Sequence, residues 1–452
     1  MANFLDAVYG LTIGPHYLWH RHVTGRYGPR CGEKLGRVPD RFRSAVTRVV
    51  GRDRDDPHYE PPCLWVHAVS VGEVVAAKGL VKLFMADNPL WEVKISTTTP
   101  TGRRIAEEAF GAENVFYYPL DFSWMVKRAL DRVRPNLVVL VELEIWPNFL
   151  AETERREIPV VVANARITER SVKRLARVPR VAASMAKAVR EWYPQTVEYA
   201  ERLRAIGVPD DRVEILGSVK YDAVPSEIGP ETEWRALFGC HLCPDRPLLV
   251  AGSTHPGEEK AVLEAVNAAS ERGAAKARVV LVPRHPERLP EAMETAKRFG
   301  PAVLRSSLGS DPSAVPEIVV GDVMGELAKI YAAADLVFVG GTIAKHGGQN
   351  IMEPCGLAKP TVAGPHLWNF AEPAAVLADA DGIRIVEKAE DLADAFYALL
   401  SDPEGARAMA ARGREALLAK KGATRRIVDR LDELAREAVR KHRKPRWGDL
   451  FS

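Results

Sequence analysis

The chain has 452 residues, and by the usual size of a domain this length is enough for two or three domains. With 46% hydrophobic and 27% charged residues, its composition is ordinary for a globular protein, so a stable core needs neither disulfides nor metals. Of the five cysteines, only Cys240 and Cys243 have the spacing of a ligand pair, and one such pair favours free thiols over a zinc or redox site.

The formal net charge is only +3, but the basic residues are concentrated in three segments. Residues 21–54 hold ten Lys or Arg against three acids, residues 166–190 hold eight against one, and the tail 440–447 is again basic. Such segments suit phosphate groups or an anionic membrane surface. The alternative is an ordinary solvated surface.

Residues 1–20 are apolar and aromatic, but polar residues, glycines and Pro15 interrupt them. The segment is too short and broken to span a bilayer, which takes about 20 mostly apolar residues. We expect it either to lie in a membrane interface, with Arg21 and Arg26 on the headgroups, or to pack on the body of the protein.

In the first half of the chain, buried strands alternate with segments of helical spacing. Strands are predicted at 64–69, 91–96, 137–141, 158–163 and 213–216, and helices at 74–85, at 102–110 and after Pro147. This alternation is typical of a parallel sheet that is covered by helices on both faces.

Residues 223–245 are rich in proline and glycine and are interpreted as a linker, although 234–238 could form a short helix. The alternation then restarts, with strands predicted at 248–251, 279–282, 318–320 and 335–339. We therefore predict an N-terminal domain over 1–222, a linker over 223–245, a C-terminal domain over 246–425 and a basic helix and tail over 426–452. The helical stretch 403–442 is expected to pack back across the first domain.

Polar residues follow nearly every predicted strand, and open parallel sheets bind ligands at the carboxyl ends of their strands. The most developed example is the segment 335–370. In it a strand ends at Gly340 and Gly341, a polar glycine loop follows, and a helix begins near Glu353. This order of elements typically presents backbone N–H groups to an anionic ligand.

Three carboxylates are the acidic candidates in the first half. Glu73 stands where a helix begins, so it is either a general base for a substrate hydroxyl or only a helix cap. Glu142 and Glu144 lie on one side of an extended segment, where they could support a reacting group or form salt bridges with nearby arginines.

Lys220, Arg284 and Glu353 are further candidates. Lys220 could neutralise a developing negative charge, and Arg284 could clamp a phosphate or carboxylate. Glu353 could accept hydrogen bonds from ribose hydroxyls. For each, the alternative is a surface or helix-cap role.

Several well-known motifs are missing from the sequence. There is no GxxxxGK[ST] loop and no GxGxxG after the first strand, which argues against a P-loop ATPase and weakly against a dinucleotide oxidoreductase. The histidines 255, 285, 346 and 366 lack metal-ligand spacing such as HExxH, so we expect no metal site.

A match to a known family covers about residues 15 to 425, and eleven motifs in a fixed order make it specific. They are HAVSVGE (67–73), TTPTG (98–102), ELEIWPN (142–148), NAR (164–166), GSVKYD (217–222), STHPGEE (253–259), LVPRHPER (281–288), GDVMGEL (321–327), FVGG (338–341), GGQNIME (347–353) and GPHLWNF (364–370). Together they resemble the 3-deoxy-D-manno-octulosonic acid (Kdo) transferases of lipopolysaccharide assembly.

The resemblance implies an α/β protein with the GT-B glycosyltransferase fold, in which two Rossmann-like domains face a central cleft. It implies transfer of Kdo from CMP-Kdo to a lipid A precursor of the lipid IV-A type, with release of CMP and without a metal or other cofactor. The partners it implies are the lipid, CMP-Kdo and the cytoplasmic face of the inner membrane, to which the protein would be peripheral or N-terminally anchored. We expect no nucleic-acid partner.

By position, the resemblance assigns Glu73 as the general base and Glu142 and Lys220 as groups that support the transition state. The residues assigned to CMP binding are Pro283, Arg284, Met324, Gly325, Glu326, Asn350, Ile351, Met352 and Glu353.

The chain departs from the family in the segment 349–352, where the family often has His, Asn, Pro and Leu. The missing proline leaves one more backbone N–H at the helix start, and Gln349 cannot become charged as histidine can. Because Asn350 and Glu353 are kept, we expect nucleotide binding to survive. The alternatives are another GT-B enzyme, a glycosyltransferase or epimerase that uses a UDP-sugar, and a catalytically idle relative that binds lipid.

Overall fold

The computed structural model describes residues 6, 31–37, 61–225, 231–238, 246–308 and 316–443. Their contacts divide the chain into two compact units. The first holds the described residues up to Asp222 and those from Gly422 onward, and the second runs from Ala223 to Lys421. The predictions for the N-terminal segment, for Cys240 and Cys243, for most of the basic segment 21–54 and for the tail after Arg443 lie outside the described residues.

The first unit is built on six parallel strands. They are β1 (Cys63–His67), β2 (Glu92–Thr97), β3 (Val115–Tyr117), β4 (Leu137–Val141), β5 (Val160–Ala165) and β6 (Glu191–Pro194). Their order in the sheet is β3-β2-β1-β4-β5-β6. Helix α1 (Cys31–Lys34) precedes β1, and the helices that follow in this part of the chain are α2 (Val71–Asp87), α3 (Pro100–Phe110), α4 (Ser123–Val133), α5 (Pro147–Arg155), α6 (Glu169–Leu175), α7 (Pro179–Ala188) and α8 (Val197–Ala205).

Strand β1 shows why this sheet is covered on both faces. Leu64 packs in one cluster with Phe84 of α2, whereas the neighbouring Trp65 packs in another cluster with Phe149 of α5. The side chains of a strand alternate between the two faces of the sheet, so a strand that is apolar throughout needs helices on both sides.

The second unit repeats the plan with seven parallel strands. They are β7 (Leu248–Thr254), β8 (Arg278–Pro283), β9 (Ala302–Leu304), β10 (Ile318–Val320), β11 (Leu336–Val339), β12 (Thr361–Ala363) and β13 (Arg384–Ile385), in the order β13-β12-β11-β7-β8-β10-β9. Its helices are α9 (Glu231–Leu237), α10 (Glu258–Glu271), α11 (Leu289–Lys297), α12 (Leu327–Ala333), α13 (Met352–Gly356), α14 (Ala371–Asp379), α15 (Leu392–Ser401) and α16 (Pro403–Ala419).

The last described helix, α17 (Ala423–Arg443), returns to the first unit and packs against α2. Ile427, Val428 and Leu431 are fully buried there in the cluster that contains Phe84. The expected return of the C-terminal stretch is therefore found, but it starts at Gly422. Helix α16, which we had included in the return, stays in the second unit beside α13 and α14.

Two stretches differ from their predicted secondary structure. The predicted strand at 213–216 is wrong, because it makes a single bridge from Val213 to Trp192 and then leaves the sheet. The predicted linker contains helix α9, where Arg235 forms an ion pair with Asp335 at 2.9 Å. The described residues from Ala223 onward thus belong to the second unit. Strands β3, β6, β9, β12 and β13 were not predicted, and each has only two to four residues.

Candidate functional site

The order of the first sheet places its acidic candidates side by side. β1 and β4 are neighbours, and the chain leaves them toward opposite edges of the sheet, so the point between their carboxyl ends is a topological switch point. Open α/β sheets bind ligands at such points. Glu73 follows β1, and Glu142 and Glu144 follow β4, so the structure brings these three predicted residues together.

Glu73 lies in the first turn of α2 and is buried. Its carboxylate accepts hydrogen bonds from the Val69 N–H at 2.8 Å, from the Ser70 N–H at 3.3 Å and from the Ser70 hydroxyl at 2.8 Å. The Ser70 hydroxyl in turn accepts from the Glu73 N–H, which completes a capping box. Burial raises the pKa of the Glu73 carboxyl against these hydrogen bonds, and the negative charge of Glu142 raises it further.

The segment that carries Glu142 and Glu144 is fixed at both ends. At its start the Glu142 N–H donates to the Ala163 carbonyl at 3.0 Å, and Glu142 adopts a left-handed backbone with φ of 64°. At its end the Asp121 carboxylate accepts from the N–H groups of Asn148 and Phe149 at 2.9 and 2.8 Å. Left-handed backbone is uncommon for a residue other than glycine, and such conformations are concentrated at functional sites.

The carboxyl of Glu144 has a strongly raised pKa. Its pKa is raised to about 8, chiefly by burial and then by the charges of Glu73 and Glu142. At neutral pH this side chain is therefore mostly protonated. The salt bridges that we offered as an alternative for Glu142 and Glu144 do not form among the described residues.

His67, the last residue of β1, has no role in the prediction. It is fully buried, its ring stacks on Tyr118 with centroids 3.9 Å apart, and its Nδ1 lies 2.9 Å from the Ser96 hydroxyl. Among the described residues its Nε2 has no hydrogen-bond partner. Burial lowers the pKa of His67 to about 3, so the imidazole is neutral. The only signal in the sequence was one histidine at the end of an otherwise apolar strand.

Lys220 lies in a short turn, Val219–Ala223, that follows Gly217 and Ser218. The Val219 N–H donates to the Asn164 side chain at 3.2 Å, and the Asp222 carboxylate accepts from the Gly422 and Thr424 N–H groups at the start of α17. The turn is therefore clamped between the end of β5 and the C-terminal helix. Within the described part of the chain, Lys220 forms no ion pair.

In the second unit, the switch point lies between β7 and β11. Here the expectation that the glycine loop offers its N–H groups to a ligand is partly wrong. The N–H groups of Gly341, Thr342, Ile343 and Ala344 all donate to the carboxylate of Glu258, at 2.7 to 3.1 Å. The protein's own buried carboxylate thus occupies the anion site at the start of this loop.

The predicted nucleotide segment 350–353 divides into two kinds of residue. Ile351 and Met352 are buried in the core, so their side chains are not available to a ligand. The Asn350 side-chain oxygen accepts from the Met352 N–H at 3.1 Å, and Glu353 is half-buried. Burial raises the pKa of Glu353 above its ordinary value, and the hydrogen bond from Asn350 opposes that rise.

The remaining predicted nucleotide residues end two other strands of the same sheet. Pro283 is the last residue of β8, and Arg284 after it is exposed. Met324 is 76% exposed, Gly325 has a φ of 82°, and Glu326 pairs with Arg305 at 3.1 Å. Arg284 and Met324 therefore present exposed side chains at this edge, whereas Glu326 is already paired.

Among the residues described, no group of three or more His, Cys, Asp or Glu side chains is placed to hold a metal ion. Of the helices in the described ranges, none has the length and apolar character needed to cross a membrane.

The sequence of the chain was then compared with known families and proteins. Residues 30–223 match the family model of the 3-deoxy-D-manno-octulosonic-acid transferases (kdotransferases). The 3-deoxy-D-manno-octulosonic acid transferase of Haemophilus influenzae is 33% identical over 396 residues, which cover 86% of this chain and 91% of the relative. The chain belongs to the Kdo transferase family. The Bordetella pertussis transferase is also 33% identical, over 379 residues that cover 82% of this chain and 87% of the relative.

Solved structures confirm the fold of this Kdo transferase family member. MurG from Acinetobacter baumannii matches 82% of this chain and 100% of its own with a TM-score of 0.51, and at 16% identity the likeness shows the fold alone. The two parallel-sheet α/β units thus form the GT-B glycosyltransferase fold, as the sequence predicted. The predicted assignment to lipopolysaccharide biosynthesis as a glycosyltransferase is likewise confirmed.

Proposed function

We propose that this Kdo transferase family member moves Kdo from CMP-Kdo to a hydroxyl of a lipid A precursor of the lipid IV-A type and releases CMP. The observation that carries the proposal is the match to Kdo transferases along almost their whole length, at 33% identity over 91% of the Haemophilus influenzae chain. The two switch points support it, because polar motif residues are found at both.

In this proposal Glu73 is the general base that takes the proton of the acceptor hydroxyl. An ionised carboxylate offers about four lone-pair sites, and three donors already occupy Glu73. One site is therefore left for a substrate hydroxyl. The raised pKa brings the base closer to neutral pH, which favours proton abstraction in the transition state.

Glu142 and Glu144 have different proposed roles. Glu142 stays close enough to Glu73 for their charges to interact, and we assign it to stabilise positive charge that develops on the donor sugar. Glu144 holds its proton at neutral pH, so the cluster carries less negative charge than three ionised carboxylates would. Lys220 is proposed to balance negative charge on the reacting groups.

We assign donor binding to the second unit. Arg284 is exposed at the end of β8 and supplies positive charge for the leaving phosphate of CMP. Asn350 and Glu353 are proposed to hold the ribose, with the backbone of Ile351 and Met352, and Pro283, Met324, Gly325 and Glu326 are proposed to complete the CMP site. With Arg284 in this role, the proposed reaction uses no metal or other cofactor.

A basic groove in the first unit supports a phosphorylated acceptor. It has a volume of about 850 Å³, and six of its nine lining residues are basic: Arg166, Arg170, Lys173, Arg174, Arg177 and Arg202. Its one acid, Glu169, lies 3.7 Å from Arg202. Such a groove attracts the phosphates of a lipid A precursor and the anionic headgroups around it. We therefore propose that the protein works at the cytoplasmic face of the inner membrane, as a peripheral or N-terminally anchored protein.

The proposed reaction is tested with the purified full-length chain, CMP-Kdo and lipid IV-A. We expect CMP to be released and the lipid to gain the mass of one or more Kdo units, as measured by chromatography and mass spectrometry. UDP-sugars are the control donors. Turnover of a UDP-sugar with none of CMP-Kdo would overturn the proposal in favour of another GT-B activity, and lipid binding without turnover of any sugar nucleotide would overturn catalysis.

A further inference from the structure

Three histidines meet at the carboxyl edge of the second sheet. β11, β7 and β8 are neighbours, and each is followed by one of them: His346 after β11, His255 after β7 and His285 after β8. The ring of His255 stacks on that of His346, with centroids 4.3 Å apart and planes at 25°, and it meets the ring of His285 edge-on at 5.8 Å. We call these three residues the histidine cluster.

The cluster joins a buried imidazole to two exposed ones. His255 is 5% exposed, and its Nδ1 lies 3.2 Å from the Ser253 carbonyl, whereas His285 and His346 are exposed. Lys345 and Arg284, which adjoin the two exposed histidines in the chain, are exposed as well. An anion that approaches this edge therefore meets groups that are basic or can become so.

Two carboxylates lie near the histidine cluster. Glu287 lies 3.9 Å from the Nδ1 of His285, but it is exposed, so solvent screens its charge. The other carboxylate is near the buried ring of His255. Three titratable groups face it: Glu258 from the start of α10, His346 from the loop after β11, and His285 from the turn after β8. Glu258 lies 3.9 Å from the ring, but five backbone N–H groups, those of residues 255 and 341–344, already donate to its carboxylate. Burial lowers the pKa of His255, and the two other imidazoles lower it further while Glu258 opposes them.

We propose that the histidine cluster binds the phosphate of the donor nucleotide and takes up a proton from solvent when it does so. The inference rests on the proposed use of a cytidine nucleotide. The phosphate carries one negative charge in CMP-Kdo, where it is a diester, and two in the released CMP, and this charge favours the protonated form of an imidazole beside it. The proton passes from water to an imidazole nitrogen, and the resulting N–H donates a charge-assisted hydrogen bond to a phosphate oxygen.

Isothermal titration calorimetry of the full-length chain measures this proton directly. CMP and cytidine are each titrated at about pH 7.5, where the phosphate of CMP is already a dianion because its second pKa is about 6. The titrations are repeated in PIPES and in Tris, whose ionisation enthalpies differ, so that the slope gives the number of protons taken up. We expect net uptake with CMP and none with cytidine.

The variants H346N and H255N locate the proton, and H366N is the matched control, since the His366 ring packs on Trp368 at 5.5 Å. H346N is expected to lose most of the uptake and to bind CMP about tenfold more weakly, with cytidine binding unchanged. H366N is expected to behave as wild type. Because His346 is exposed, its variant remains informative even if H255N does not fold.

The possible failures can be told apart. If wild type binds CMP without taking up a proton, or if H346N takes up as much as wild type, the histidine cluster does not bind the phosphate in this way. If wild type binds UDP but not CMP, the proposed donor is wrong, and the inference about the histidine cluster, which rests on that donor, is wrong with it.

Discussion

At the scale of single residues, Glu73 shows how one side chain satisfies two explanations. The capping box accounts for the position of Glu73. The Glu73 carboxylate accepts a hydrogen bond from the Ser70 N–H, and the Ser70 hydroxyl accepts one from the Glu73 N–H. A cap, however, needs neither burial nor the neighbouring charge of Glu142, which together raise its pKa. A base needs a free lone pair and a raised pKa, and Glu73 has both.

Replacing Glu73 and Ser70 one at a time separates the catalytic role of Glu73 from its capping role. We expect E73Q to lower kcat at least about 100-fold, because a positioned general base contributes roughly 10²–10⁴ in rate. S70A removes two hydrogen bonds, the one that the Ser70 hydroxyl accepts from the Glu73 N–H and the one that it donates to the Glu73 carboxylate, but it leaves the carboxylate itself. It should therefore cost about 1 kcal/mol of stability and much less activity than E73Q. Steady-state CMP release and thermal melting measure the two effects. If E73Q folds and keeps the full rate, Glu73 acts only as a helix cap.

The raised pKa of Glu144 predicts that the stability of the protein depends on pH. Its carboxyl ionises near pH 4.5 in the unfolded chain but near 8 in the folded protein, so between these values the folded state binds more protons. Stability should therefore fall as pH rises from about 4.5 to about 8.

The contribution of Glu144 is isolated by comparing melting temperatures of wild type and E144Q from pH 5 to pH 9. E144Q should flatten the decline and gain stability relative to wild type at the high end. The control is E108Q, at an exposed residue on α3, which should run parallel to wild type. If E144Q and wild type also run parallel, Glu144 is ionised in the folded protein at neutral pH.

At the scale of elements, the loop after β11 is shaped from within. Each oxygen of Glu258 serves several backbone N–H groups: one accepts from Thr342, Ile343 and Ala344, and the other from His255 and Gly341. A carboxylate can do this because both of its oxygens are acceptors. The loop is therefore pre-formed before any ligand arrives.

Replacing this carboxylate by an amide should be costly. In E258Q one oxygen becomes an NH₂ group that faces backbone donors, so at least two buried N–H groups lose their acceptor at about 1–3 kcal/mol each. We expect a loss of about 2–5 kcal/mol by equilibrium denaturation, together with weaker CMP binding. E264Q, on the exposed face of the same helix, is the control. Equal stability of the two variants would contradict the structural role of Glu258.

At the scale of the whole molecule, the chain leaves the first unit at Asp222 and re-enters it at Gly422. The Asp222 carboxylate accepts from the Gly422 and Thr424 N–H groups, so the two crossings are tied together in the first unit. Arg426 adds a hydrogen bond to the Leu216 carbonyl at 2.8 Å. The turn that carries Lys220 is thus held by a helix that lies about 200 residues later in the chain.

Ending the chain at Lys421 should therefore damage the distant first unit. It removes Ile427, Val428 and Leu431, and truncating a single buried Leu or Ile to alanine already costs about 2–5 kcal/mol, out of a typical stability of about 5–15 kcal/mol. Limited proteolysis with mass spectrometry should show cleavage in residues 61–222 well before 246–421.

Point substitutions in α17 test the same packing without shortening the chain. L431A should lose about 2–5 kcal/mol, whereas E433A, on the exposed face of the same helix, should lose little. If the truncated chain resists protease in 61–222 as wild type does, the core of the first unit does not depend on α17.

The sequence by itself determined the family, the α/β class and the longer strands, because these depend on local patterns and on motifs that can be read along the chain. It also placed the candidate site residues after strands, although the strand that it predicted before Lys220 does not form. Only the tertiary structure decided which strands are neighbours, and therefore that Glu73 meets Glu142 and that His255 meets His346. It alone showed Glu258 within the glycine loop. Such pairings join residues tens to hundreds of positions apart, and periodicity within a short window carries no information about a partner at that distance.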